Sequence, residues 1–319
     1  RYWGPYEEDL RNVQDGVIIA GLKKAYSRLL NDDGQFRALS TRDPLVVMDE
    51  AHQAIAPTYQ LIIDQLLRPM SSAQLLGLSA TPGRTWNEPD ADRKLSEFFA
   101  TRKVTLKVDG YDNPVSYLIN QGYLAEPKFT QIEIAANVAL TSEEQDRIRE
   151  TFELPSSVLD RLGDNDQRNL LIVHHAEQLL KRHSRVILFA ASVRQSDLLA
   201  AVLSARGHWA ASITSKSPNG RAESIAAFKD DEDRPKILCN FGVLTTGFDA
   251  PRTSAALIAR PTLSLVLYSQ MVGRAMRGKV AGGNETCEIL TVVDTTLPGF
   301  DSVVDAFSNW EDVWSDKDD

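Results

Sequence analysis

Short apolar runs alternate along the chain with longer stretches in which apolar residues recur every three or four positions. The short runs are typical of strands, and the longer period is typical of helices. Strands are predicted over residues 16–20, 45–49, 74–78, 129–134, 185–189, 208–213, 235–240, 254–258 and 288–293. Helices are predicted over residues 21–30, 59–67, 115–121, 167–182, 196–206, 220–228 and 264–276. Because strands alternate with helices, we expect an α/β fold with mainly parallel sheets.

The chain is long enough for two domains of ordinary size, at 319 residues. A hinge is predicted at residues 122–127, Gly-Tyr-Leu-Ala-Glu-Pro. We therefore place the domain boundary after Ala125, with a first domain over residues 1–125 and a second over residues 126–319. Both domains carry the same alternation of strands and helices.

Composition and charge narrow the classes of function. The net charge of −9 argues against binding of nucleic acid through global charge, but it allows a local basic groove. Cys239 and Cys287 lie far apart and form neither a metal-ligand pattern nor a disulfide framework, which favours a reducing cytoplasm. No apolar stretch is long enough to span a membrane and no signal peptide is visible, so no membrane partner is expected.

Candidate chemistry begins where the apolar run Leu45–Met48 meets Asp49 and Glu50. Such a run predicts a strand buried on both faces, and ligands of open α/β sheets bind at the carboxyl ends of strands. Asp49 can hold Mg²⁺ through its oxygens, and Glu50 can orient or deprotonate a water. The alternative is a strand that ends in a solvated acidic turn. An Asp-Glu pair alone favours that alternative, whereas Asp-Glu-Ala-His, with His52 as its last residue, favours a site.

Hydroxyl groups follow another predicted strand about thirty residues later, at Ser79 and Thr81. They can bond to the acidic pair of the neighbouring strand or simply cap a turn. A glycine-containing loop follows the strand at 235–240: Thr245 and Thr246 offer hydroxyls suited to a phosphate, and Gly247 permits close backbone approach. Asp249 can bond a ribose hydroxyl or an ordered water. A glycine-containing loop without a binding role accounts for these residues equally well.

Arg274 and Arg277 are three residues apart and share one face of the predicted helix, with Gln270 one turn earlier. Two guanidinium groups on one face can clamp a polyphosphate, and one of them can act as an arginine finger. The alternative is a basic, solvated helix face. The apolar neighbours of these arginines indicate that both side chains are held in place.

One phosphate-loop pattern in the same region is rejected. Residues 273–279 spell Gly-x-x-x-x-Gly-Lys, but Val280 stands where the pattern needs Ser or Thr, and the stretch follows a predicted helix rather than a strand. No other stretch of the sequence spells a phosphate loop.

Taken in order, these stretches resemble the motifs of a superfamily 2 helicase or translocase of the DEAD/DEAH type. The matching stretches are 49–52 (motif II), 79–81 (motif III), 187–190 (motif IV), 244–251 (motif V) and 270–277 (motif VI). Thr-Thr-Gly-Phe-Asp-Ala-Pro and Tyr-Ser-Gln-Met-Val-Gly-Arg-Ala-Met-Arg are most similar to the RadD-like branch, near the type III restriction helicases. The resemblance implies two RecA-like domains, the first incomplete at its N-terminus.

The resemblance also implies an ATP-driven motor with ATP and Mg²⁺ as cofactors and nucleic acid, DNA favoured over RNA, as partner. Asp49 would hold Mg²⁺ on the ATP, Glu50 would position water, and Arg277 with Arg274 would stabilise charge on the transferred phosphoryl group. The remaining residues that it implicates are His52, Gln270, Gly247 and Asp249 at the nucleotide, and Ser79, Thr81, Thr245 and Thr246 in nucleic-acid binding or coupling.

The family carries its phosphate loop ahead of the first stretch present here, near residues 17–30, where motif Ib is expected. We expect a preceding segment on the order of a hundred residues; a second chain or a degenerate form are the alternatives. The alternative function is a non-catalytic helicase-like binding or scaffolding subunit, and a nuclease using Asp49 and Glu50 is disfavoured because no further carboxylates cluster. Repair, restriction and anti-phage defence are the expected settings, with other subunits of such complexes as possible partners.

Overall fold

The computed structural model describes residues 9–31, 34–41, 44–67, 72–79, 89–104, 107–111, 114–151, 153–215, 220–244, 248–262 and 264–297. The chain divides into two compact units, of which the first ends at Val104 and the second holds the described residues from 107 onward. This division precedes the predicted boundary after Ala125, because residues 114–125 pack with the second unit. No helix in the described ranges is long and apolar enough to cross a membrane.

The first unit contains two parallel strands and four α-helices. The strands are β1 (Leu45–Asp49) and β2 (Gln74–Leu78), paired with Leu45 opposite Gln74. The helices are α1 (Leu22–Leu30), α2 (Gln35–Ser40), α3 (Pro57–Leu66) and α4 (Pro89–Phe98), with short 3₁₀ turns at Leu10–Asn12 and Ala51–Gln53. The predicted strand at 16–20 was wrong: no strand element forms there, and Val17 is 89% exposed.

One face of this small sheet is packed and the other is open. Met48 is buried on the packed face, and a side chain at Gly77 would meet Phe99 and Ala51 at less than 3 Å. The residues on the open face are 47–61% exposed: Leu45, Val47, Leu76 and Leu78. The prediction that β1 is buried on both faces was therefore wrong. Successive side chains of a strand point to opposite faces, and the described helices cover only one of them.

The second unit is built on a six-stranded, wholly parallel sheet in the order β3-β8-β7-β4-β6-β5. Its strands are β3 (Glu126–Ile134), β4 (Arg185–Phe189), β5 (Trp209–Ile213), β6 (Lys236–Asn240), β7 (Ala255–Ile258) and β8 (Thr286–Asp294). Its helices are α5 (Pro114–Asn120), α6 (Ser142–Thr151), α7 (Ser156–Gly163), α8 (Asp166–Leu180), α9 (Val193–Ala205), α10 (Arg221–Lys229) and α11 (Leu265–Gly273), with a 3₁₀ turn at Lys279–Ala281.

The central strands β4, β6 and β7 are buried along their whole length. Alternate residues of β4 enter separate apolar clusters on the two faces: Ile187 and Phe189 on one side, Val186 and Leu188 on the other. This arrangement is the one expected of a parallel sheet covered by helices on both faces. Because all six strands run the same way, their carboxyl ends meet at one edge, which we call the carboxyl edge of the second unit.

The helix α11 ends earlier than predicted. It stops at Gly273, Arg274 caps it, and Arg277 lies beyond it in an isolated antiparallel bridge with Leu124. The prediction that Arg274 and Arg277 share a helix face was therefore wrong. The chain leaves the helix because Met276 and Gly278 bond to the backbone of residues 123–125, and a Cβ at position 278 would lie 2.1 Å from the carbonyl oxygen of Gly122.

Candidate functional site

The acidic pair lies where β1 ends and the chain turns. Asp49 is the last residue of β1, and the backbone amide of Glu50 donates to Asp49 Oδ1 at 3.0 Å. Glu50 has a left-handed backbone with φ 54° and ψ 47°. A residue other than glycine costs about 1–3 kcal/mol in such a conformation, and strain of this kind is concentrated at functional sites. The sharp turn leaves both carboxylates accessible at the strand end.

His52 connects the acidic pair to the end of β2. Its imidazole is 7% exposed, and its Nδ1 atom lies 3.5 Å from Glu50 Oε2 and 3.3 Å from Ser79 Oγ. Since β1 and β2 are parallel neighbours, their carboxyl ends bring Glu50 and Ser79 to the same imidazole nitrogen. The predicted proximity of Ser79 to the acidic pair is thus realised through His52, within the first unit.

The donor set at this strand end fits Mg²⁺ that is bound together with a nucleotide. Mg²⁺ is usually held by one or two carboxylates, with waters and substrate phosphates as its other ligands. Asp49 and Glu50 supply such carboxylates. In the described ranges no group of three or more His, Cys, Asp or Glu side chains is placed to hold a metal ion.

In the second unit, both predicted arginines contact the loop that precedes β7. Arg277 Nε donates to Asp249 Oδ1 at 3.2 Å, and the two side chains are 44% and 61% exposed. Arg274 Nη1 donates to the carbonyl oxygen of Phe248. Gln270 lies on α11, one turn before Arg274, and is partly buried. Although the arginines do not share a helix face, the same loop holds both of them.

Several predicted site residues fall outside the described ranges. They are Thr81, Thr245, Thr246 and Gly247.

Two arginines near the carboxyl edge of the second unit were missed by the sequence reasoning. Arg168 on α8 is fully buried. Burial lowers the pKa of Arg168 to about 10, whereas the negative charge of Asp294 acts to raise it. Arg260 follows β7, and its guanidinium carbon lies 4.9 Å from the centroid of the Phe241 ring. Burial lowers the pKa of Arg260, and the charge of Glu153 acts in the opposite direction. The sequence signal for Arg260 was its position two residues after an apolar strand.

Two family models match the chain in separate stretches. The model described as "Type III restriction enzyme, res subunit" matches residues 5–84, and the model described as "Helicase conserved C-terminal domain" matches residues 169–279. The first match includes Asp49 and Ser79, and the second includes the loop at Asp249 and both arginines of the predicted motif VI. The chain belongs to the superfamily 2 helicases, in the branch of the restriction-enzyme helicases.

Among curated relatives, this helicase is similar to the putative ATP-dependent helicase IRC3 of Saccharomyces cerevisiae. The two are 26% identical over 300 residues, which cover 93% of this chain and 39% of IRC3. It is also similar to a 51.5 kDa protein of a Lactococcus phage, with 28% identity over 73% of this chain and 46% of the phage protein. The chain therefore spans less than half the length of these relatives.

Solved structures bear on the fold alone. A fragment of a putative HsdR subunit of a type I restriction enzyme from Vibrio vulnificus YJ016 matches with a TM-score of 0.59 and 21% identity, over 86% of this chain and 49% of that one. A structure of S. cerevisiae Dbp5 bound to RNA and ADP BeF3 matches with a TM-score of 0.56 and 16% identity, over 98% and 67%. The predicted α/β class with RecA-like, mainly parallel sheets is confirmed.

Proposed function

We propose that the chain is the core of an ATP-dependent helicase or translocase that moves along nucleic acid, DNA in preference to RNA. The observation that carries the proposal is the cluster at the ends of β1 and β2. There Asp49 and Glu50 follow the strand, and His52 lies between Glu50 and Ser79. A carboxylate that can hold a metal ion, beside a second carboxylate that can orient a water, is the pair that water attack on a phosphoanhydride requires.

Bound ATP and Mg²⁺ supply the scissile phosphoanhydride and a cation that neutralises phosphate charge. In the proposed mechanism Asp49 binds the metal, and Glu50 orients a water and takes its proton. His52, whose Nδ1 atom lies 3.5 Å from Glu50 Oε2 and bonds to Ser79 Oγ, restricts the position of the Glu50 carboxylate. Arg274 and Arg277 donate to phosphate oxygens whose negative charge grows during the reaction. The bond of Arg277 to Asp249 keeps its guanidinium oriented until phosphate oxygens compete for it.

The setting that we propose is DNA repair, restriction or anti-phage defence, with other subunits of such complexes as partners. Support comes from the match to the restriction-enzyme res subunit model over residues 5–84. A RadD-like activity and the choice of DNA over RNA belong to the same proposal, and parallel assays on both nucleic acids test them.

The test of the proposal is the Glu50→Gln variant of the complete protein. The amide keeps the size of the side chain but cannot take a proton from water, so nucleic-acid-stimulated ATP hydrolysis should fall at least a hundredfold, at the lower end of the range for general base catalysis. Binding of a fluorescent ATP analogue should persist. The matched control is Glu177→Gln, which changes a carboxylate held by Arg206 and His208 in the second unit. Unchanged turnover in Glu50→Gln would exclude Glu50 from catalysis.

A non-catalytic helicase-like binding or scaffolding subunit is the second candidate. One observation favours it: the 319 residues spell no complete phosphate loop. The same assay separates the two candidates, because a non-catalytic subunit would bind nucleic acid while neither the unsubstituted protein nor Glu50→Gln hydrolysed ATP.

A further inference from the structure

Arg260 reaches across the carboxyl edge of the second unit. It follows β7, whereas Phe241, over which its guanidinium lies, follows β6. In the sheet β4 lies between these strands, so β6 and β7 are about 10 Å apart, twice the usual strand spacing. The stacked pair therefore spans the end of β4. The stack fixes the plane of the guanidinium, as an arginine over an aromatic ring prefers.

The hydrogen-bonding state of Arg260 differs from that of a structural arginine. A guanidinium carries five N–H donors, and none of those of Arg260 is hydrogen-bonded to a residue in the described ranges. Arg185 provides the contrast, because each of its three nitrogens donates to backbone carbonyls at the opposite edge of the same sheet. A partly buried cation that keeps its donors available is suited to an acceptor from outside the chain.

Arg260 lies before the start of α11, whereas the arginines assigned to the ATP phosphate lie at and beyond its end. Arg260 precedes α11, and Arg274 caps the far end of that helix. Nine helical residues separate the two ends by about 14 Å, at 1.5 Å per residue. A second anion at the carboxyl edge would match this separation. The start of α11, capped by the hydroxyl of Ser264, adds the positive end of the helix dipole to the same edge.

We propose that Arg260, held over Phe241, binds a backbone phosphate of the nucleic acid. This inference rests on the proposed function. A nucleic-acid strand supplies phosphates at regular spacing, so one of its phosphodiesters can meet Arg260 while ATP occupies the site of Arg274 and Arg277. The contact depends on the charge and geometry of the phosphate and not on base identity, so its contribution to affinity should be the same for every nucleic-acid sequence. Because the planar fork matches phosphate oxygens, lysine should replace Arg260 only in part.

The first experiment compares binding of a fluorescent single-stranded oligonucleotide to the unsubstituted protein, Arg260→Gln and Arg260→Lys at several salt concentrations. In Arg260→Gln the affinity at 50 mM salt should fall about tenfold, as expected for loss of a charged hydrogen bond. The slope of log affinity against log salt should become less negative by about 0.7, the value for one fewer phosphate contact on a single strand. Arg260→Lys keeps the positive charge, so the slope should not change. Its affinity should fall only about threefold, because lysine retains part of the charged hydrogen bonding.

The matched control is Arg206→Gln. Arg206 is 56% exposed and pairs with Glu177 at the end of α9 remote from the carboxyl edge, so its loss should change neither affinity nor slope. If the unsubstituted protein binds nucleic acid but Arg260→Gln keeps its affinity and slope, the inference fails and the proposed function stands. If the unsubstituted protein binds no nucleic acid, both fail together.

A second measurement needs no folded variant. Phenylglyoxal modifies accessible arginines, and mass spectrometry reports the modified fraction at Arg260 and at Arg206 in the unsubstituted protein. A saturating oligonucleotide should reduce modification of Arg260 at least threefold and leave Arg206 unchanged, because a phosphate bound in bidentate geometry blocks access of the reagent to the guanidinium. Inorganic phosphate at the same phosphate concentration should protect neither. Equal protection by inorganic phosphate, or no protection by the oligonucleotide, would overturn the assignment.

Discussion

The residues at the strand ends of the first unit have different proposed roles. Asp49 and Glu50 carry the charges, and the nearly buried imidazole of His52 fixes the position of one of them. A histidine that shares one nitrogen between a carboxylate and the hydroxyl of Ser79 limits the rotation of both groups. Its proposed role is therefore positional rather than chemical, and its removal should affect turnover more than binding.

The His52→Asn variant tests that role. Loss of the imidazole leaves the Glu50 carboxylate less fixed, so the kcat for ATP should fall about tenfold while KM changes little, as is common for residues that orient a reacting group. Steady-state ATPase assays with saturating nucleic acid measure both constants. His174→Asn is the control, since His174 lies on α8 against His175 and outside the site. A rise in KM with unchanged kcat would instead assign His52 to nucleotide binding.

At the scale of elements, one carboxylate ties two helices together. Glu144 and Thr141 form a reciprocal capping box at the start of α6, with Thr141 N donating to Glu144 Oε2 at 3.0 Å and Glu144 N to Thr141 Oγ1 at 3.2 Å. The same carboxylate accepts from Ser157 and Arg161 on α7. These bonds, with that of Arg161 first, lower the pKa of Glu144 to about 2.

The lowered pKa makes this link dependent on pH. Because the folded-state pKa lies below the ordinary value of 4.5, the stabilisation is fully present above pH 4.5 and is lost as pH falls toward 2. Glu144→Gln should therefore lower the urea midpoint of unfolding at pH 7, and the difference from the unsubstituted protein should shrink at pH 3. Circular dichroism at both pH values measures the midpoints. Glu143→Gln, on the same helical turn, is the control. A constant difference across that range would contradict the role of the charge.

Elements were predictable from the sequence where local pattern determines them, and less so where distant contacts do. The strand β4, apolar from Val186 to Phe189, was predicted correctly together with its burial, because helices cover both faces. The equally apolar β1 was found as a strand, but its sequence does not reveal that one face stays open. The end of α11 at Gly273 was missed because the helix ends to pair with Leu124, far away in sequence.

In the candidate site, too, residues were predictable where a local pattern marks them and were missed where distant contacts bring them together. Asp49 and Glu50 were identified because the chemistry and the strand end are adjacent in the sequence. The stack of Arg260 on Phe241 joins residues that follow two different strands, so no local sequence pattern indicates it.

At the scale of the whole molecule, the two units differ in how thoroughly their sheets are covered. The second unit has apolar clusters on both faces of its sheet, whereas the first has an open face at Val47 and Leu76. Burial of apolar area is the main favourable term in folding, so the units should differ in local stability.

Hydrogen exchange tests this difference. Backbone amides of β4 and β6 should exchange at least a hundredfold more slowly than those of β1 and β2, because opening the covered sheet exposes more apolar surface. Mass spectrometry of peptides from both units gives the rates. Equal protection of β1 and β4 would show that the exposed face of the first unit is covered in solution.

The close approach at Gly278 limits which residues the chain can carry at this position. A methyl group at this position would collide with the carbonyl of Gly122 and push apart the bridge that holds Arg277. An inherited change there would displace Arg277, for which we propose a phosphate-binding role, without altering Arg277 itself. Sequence surveys that score only the charged positions would therefore count such a variant as intact, although Arg277 would have lost its alignment.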